Sequence, residues 1–143
     1  MSPGPMQILD RSADALAGRI APQLRTPHLA GTANLIALLM KFSAREMERG
    51  AEIRHAENIG MRALFAELAH IVRDGDLRRR LGAAAAEDDA SVVLSELDRT
   101  NADLKRLLIE LHIQVEEAGD RKAERRILKF LSWMASQRAV SIF

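Results

Sequence analysis

The clearest pattern along the chain is a run of positions spaced alternately three and four residues apart. Leu94, Leu97, Asn101, Leu104, Leu108, Leu111 and Val115 keep that spacing. They fall on alternating a and d positions, the arrangement that packs helices side by side at a shallow angle. Leu107 widens the stripe, as a bundle helix needs. Glu87, Asp88, Asp89 and Ser91 precede it and read as an N-cap and an acidic first turn, and Gly119-Asp120 ends it. A long central helix is therefore predicted over about 88–118.

Other segments carry the same period. Residues 1–5 read as a flexible lead. Leu9, Ala13, Leu16 and Ile20 recur at helical spacing, and Thr26-Pro27 is a capping signal for the next element. Leu35, Leu39 and Phe42 mark a face predicted to be buried. At 100° per residue that face continues through Glu46, Arg49, Ile53, Glu57, Gly60, Leu64, Leu68 and Ile71. An unbroken helix of that length is rare in a small domain, so a kink or break is expected at Gly50. Asp74-Gly75-Asp76 is a turn signal, 77–86 reads as a short helix carrying Arg78, Arg79 and Arg80, and 121–139 reads as a last helix with Ala123, Ile127, Phe130, Leu131 and Met134 inward. The apolar tail 139–143 is expected to pack down. No window alternates at period two for long enough to be a strand. The expectation is an all-α chain: a single domain over 6–143, folded as an up-down helical bundle of four to five helices.

Composition narrows the function classes. Cysteine is absent, which excludes disulfides, thiolate metal sites and cysteine nucleophiles. A net charge of +1 supplies no global field for nucleic acid or anionic lipid. The glycines do not cluster into a phosphate-cradling loop, and no serine sits in a nucleophile elbow. The longest apolar run, Leu35 to Met40, is far shorter than a membrane span, and the first residues lack the basic and apolar regions of a signal peptide. A cytoplasmic protein of bacterial type, rich in Ala and Arg, is expected.

Polar residues interrupt the apolar faces. Glu46, Arg49, Glu57 and Asn101 are expected to form a buried polar layer. A buried carboxylate needs a cation, so Glu57 should meet Arg54, Arg62 or a basic group from another helix. The sharper alternative is a di-iron carboxylate bundle oxidoreductase with Glu46, Glu57, His112 and Glu116 as ligands. The two Glu-x-x-His pairs, Glu52/His55 and Glu67/His70, lie about fifteen residues apart in one segment, so they cannot serve one metal pair without a fold back.

Two surfaces suggest association. Ala102, Ile109 and Ile113 form a second apolar ridge opposite the heptad stripe, and Trp133 lies off the main stripe of the last helix. Ile109, Ile113 and Trp133 are expected at a homodimer interface. The basic group Arg121, Lys122, Arg125, Arg126 and Lys129 reads first as a solvated face, with an RNA-binding helical domain as a further alternative. The leading expectation is a non-enzymatic interaction or scaffold protein, adaptor-like or chaperone-like. It would pair with itself or with another protein, use no cofactor, span no membrane and not depend on nucleic acid.

Overall fold

The periodicities above resolve into five α-helices in a computed structural model, which describes residues 2–139. They are α1 (Pro5–Ala15), α2 (Pro27–Leu68), α3 (Gly75–Ala85), α4 (Leu94–Ala118) and α5 (Arg121–Arg138). Among the described residues there is no strand. A π turn at Leu16–Ile20 and a 3₁₀ turn at Ala21–Gln23 follow α1, and a 3₁₀ turn at Ala69–Ile71 follows α2. The end of the chain, residues 140–143, for which packing was expected, lies outside the described residues.

Two expectations about element boundaries are corrected. No break falls at Gly50: α2 runs for 42 residues as one α-helix. A single glycine costs a helix interior only about 1 kcal/mol, and the apolar phase passes through it unshifted. The longest helix is therefore α2 and not the 88–118 segment. That segment begins later than its acidic cluster suggested: Val93 occupies the N-cap of α4 and offers no side-chain hydrogen bond. The Asp89 carboxylate is turned inward instead, and the Ser91 hydroxyl accepts from the Val93 N–H at 3.1 Å.

Other stops work as their residues imply. Asp74 accepts from the Leu77 N–H at 2.8 Å and Asp120 from the Ala123 N–H at 3.0 Å, capping α3 and α5. Gly119 ends α4 at φ 69°, the left-handed conformation that glycine adopts without a Cβ penalty.

Contacts divide the chain into two compact units, 1–51 and 52–143. The buried apolar side chains of the first unit are all alanines: Ala13, Ala21, Ala33, Ala37 and Ala44. The Lys41 ammonium joins α1 to α2 through Asp10 at 2.8 Å and Asp14 at 2.7 Å. Leu35 and Leu39, expected to be inward, are 56% and 53% exposed. The reason is the alanine row at 33, 37 and 44, which occupies the other side of the same helix and forms the seam.

The second unit holds a larger core. Met61, Leu64, Phe65 and Leu68 of α2 meet Leu77 and Leu81 of α3, Leu104, Leu108, Leu111 and Val115 of α4, and Ile127, Phe130 and Met134 of α5. The heptad stripe is buried from Leu97 to Val115, as its spacing predicts, with Leu94 partly covered. Gly60 allows the closest approach. A Cβ there would lie 2.7 Å from Cε2 of Phe130, so any larger residue must push that ring aside. Phe130 in turn leans on Trp133, with ring centroids 5.5 Å apart.

Candidate functional site

A connected polar layer crosses the second unit. Glu57 is fully buried on α2, and Arg138 at the end of α5 donates Nε to its Oε1 at 2.6 Å and Nη2 to its Oε2 at 2.7 Å. Asn101 of α4 donates Nδ2 to Glu57 Oε2 at 2.9 Å and to Asn58 Oδ1 at 3.0 Å, while its own Oδ1 accepts from Arg138 Nη2 at 3.2 Å. Asn58, also fully buried, passes the chain of bonds on by donating Nδ2 to Asp89 at 3.2 Å. Asp89 ends it, accepting from Arg62 Nη1 at 2.8 Å and pairing with His55 Nδ1 at 2.7 Å.

The chemistry of the layer is that of two neutralised carboxylates. Burial pushes the Glu57 carboxyl upward, but the bonds from Arg138 and Asn101 outweigh it and hold the group below the usual carboxylate range. Asp89 follows the same balance: burial raises it, and bonds from His55 and Arg62 bring it below its ordinary value. Lys105 stands 3.8 Å from Glu57 Oε2, its own ammonium lowered first by burial and then by the Arg138 charge. Carboxylates held ionised by arginines are poor general acids, and their lone pairs are already bonded. What this arrangement does well is fix α2, α4, α5 and the 86–93 connection in one register.

The expected polar layer is thus half redrawn. Glu57 and Asn101 are buried, whereas Glu46 and Arg49 are exposed, because the part of α2 that carries them belongs to the alanine-seamed unit. The basic partner of Glu57 is the group from another helix. Sequence reasoning did not single out Arg138, Asn58 or Asp89. Arg138 lies past the basic cluster, and Asp89 resembles a cap.

Of the proposed metal ligands, His112 and Glu116 form a pair, with Nε2 facing the carboxylate at 3.5 Å within α4, and Glu57 is taken by Arg138. Among the described residues no group of three or more His, Asp or Glu side chains is arranged to hold a metal ion. In the basic group, Arg126 pairs with Glu67 at 3.1 Å, while Arg121, Lys122, Arg125 and Lys129 are exposed.

The surface carries more apolar area than the sequence reading assigned to it. Ile109, Ile113 and Trp133 are 60%, 47% and 37% exposed. The first unit exposes more: Leu29, Leu35, Ile36, Leu38 and Leu39 are all between 42% and 56% exposed on α2. The stretch 27–40 that bears them contains no Asp, Glu, Lys or Arg. Among the described residues no helix is long and apolar enough to cross a membrane.

A comparison with protein-family models, curated proteins and solved structures finds no match for this chain.

Proposed function

We propose that this protein is a non-enzymatic helical interaction module, scaffold-like or adaptor-like, whose docking face is the uncharged first half of α2. The observation that carries this reading is the group of five large apolar side chains at 29, 35, 36, 38 and 39. All are about half exposed on a stretch without a charged residue. Contiguous exposed apolar surface on a folded chain marks a place where another surface binds. The polar layer supports the same reading, since its carboxylates are held ionised and bonded rather than poised for proton transfer.

Benzoylphenylalanine at Leu38, in the full-length chain in its native cell, tests the reading. Illumination is expected to give a discrete adduct at Leu38 and none at exposed Arg99 of α4. No adduct at Leu38, or equal adducts at both positions, would overturn it.

A further inference from the structure

A groove of about 450 Å³ runs along α2 beside the connection between α3 and α4, wholly within the second unit. Its size falls in the range of small-molecule sites, roughly 300–1,000 Å³. Ile59, Ala63 and Ala66 share one stripe of α2 and form its apolar floor, with Ile59 53% exposed. Arg62 lines it from α2, and Glu87 and Asp88 line it from the facing connection.

Arg62 is more than nine-tenths buried, yet half of its guanidinium is unused. Nη1 donates to Asp89 at 2.8 Å. Nε is buried without an acceptor, and Nη2 also has none among the described residues. Nε and Nη2 together make the flat two-donor edge that binds a carboxylate side-on. Arg138 uses that same edge on Glu57. Buried donors in folded proteins find acceptors, so an orphan on a cavity wall calls for one that arrives with a ligand.

The other side of the groove has the opposite need. Glu87 and Asp88 are exposed, and their carboxylates have no partner among the described residues. His55, also on the wall, has Nδ1 2.7 Å from Asp89 Oδ2. In the neutral ring the proton sits on that nitrogen and Nε2 keeps its lone pair. We propose that the groove binds a small aliphatic amino acid. Its carboxylate takes the open edge of Arg62, its carbon chain lies on Ile59, Ala63 and Ala66, and its ammonium meets Glu87, Asp88 and His55 Nε2. The site goes beyond the docking face of α2 and does not depend on it.

Charge selects this class of ligand. Asp89 already neutralises Arg62, so the two rim carboxylates leave the groove negative and repel a simple anion. A simple amine satisfies the rim and leaves the Arg62 edge unbonded. A zwitterion answers both ends.

The test titrates the full chain with glycine, γ-aminobutyrate, 6-aminohexanoate and leucine, reading backbone amide shifts by NMR. Butyrate and butylamine are the matched single-charge probes. At least one amino acid is expected to give saturable shifts confined to residues 55–66 and 85–89, with a Kd on the order of 1 mM for so few contacting atoms. Both single-charge probes should bind about tenfold more weakly, the loss of one charged hydrogen bond. Glu87→Gln/Asp88→Asn alters only exposed side chains, so it should keep the fold and weaken the amino acid about tenfold without weakening butyrate. Arg62→Lys keeps a cation beside Asp89 and removes the two-donor edge, and it should weaken the amino acid to a similar extent. If Arg62→Lys does not fold, the rim variant and the single-charge probes decide alone. No saturable shift in the groove with any of the four amino acids would overturn the proposal. So would butyrate or butylamine binding as tightly as the best amino acid, or an affinity unchanged in the rim variant or in a folded Arg62→Lys.

Discussion

Arg138 grips the buried carboxylate of Glu57 with two hydrogen bonds, 2.6 and 2.7 Å long, across 81 residues of sequence. The pair fastens the last turn of α5 to the middle of α2. Breaking a buried pair leaves a desolvated charge, which costs about 3–5 kcal/mol. Because the Arg138 side chain is 35% exposed, water can reach the vacated space. Arg138→Ala is therefore expected at the lower end, about 3 kcal/mol, read from urea denaturation. Replacing Glu57, Asn58, Asn101 and Arg138 together by Met or Leu should recover most of the loss, because Asp89 keeps its bonds to Arg62 and His55 and no amide or carboxylate of the layer is left unpaired.

The same carboxylate predicts a pH dependence. Glu57 is held below its ordinary value in the folded state, so its ionised form stabilises the fold above the unfolded carboxylate range. That contribution falls away as pH drops through the depressed folded value. The stability gap between the parent and Glu57→Gln should be widest at neutral pH and narrow steadily on acidification. A gap that stays constant from pH 7 to pH 3 would contradict this.

Asp89 holds the connection between α3 and α4. Its side chain is only 3% exposed and takes bonds from Arg62, His55 and Asn58. Arg62 already has one buried nitrogen, Nε, without a partner among the described residues, so it has little to fall back on. Asp89→Ala is expected to cost about 2–4 kcal/mol. It should also free the 86–93 segment, seen as faster cleavage after Glu87 by a glutamate-specific protease.

Gly60→Ala places a methyl group 2.7 Å from Cε2 of a buried phenylalanine. Overpacking of this kind costs about 1–3 kcal/mol, against about 1 kcal/mol gained from helix propensity. A net loss of up to about 2 kcal/mol is expected. Trp133, the only tryptophan, touches that ring, so its fluorescence should shift in the variant before any unfolding.

The sequence made some of these features legible and hid others for identifiable reasons. The heptad stripe of α4 was readable because leucines at fixed spacing have one good solution, and Asn101 interrupts it where a polar partner waits. The phase of α2 was equally readable, but not which stretch of it would be covered. Leu35 and Leu64 share that face, yet the first is 56% exposed and the second fully buried. Periodicity records which residues align and says nothing about which neighbour is present. The alanine seam escaped notice because alanine is at home on either side of a helix. Asp89 escaped because an acid before a helix is ordinarily a cap, and Arg138 because ion pairs across 81 residues leave no local spacing to read.

The alanine seam has a consequence for the lifetime of individual backbone hydrogen bonds. Burying one methyl group contributes only about 0.8 kcal/mol, so five alanines hold their hairpin far less firmly than the leucines, isoleucine and phenylalanines hold the second unit. Amide protons of residues 5–45 should therefore exchange with solvent through small local openings, while those of residues 61–72 and 104–115 wait for global unfolding.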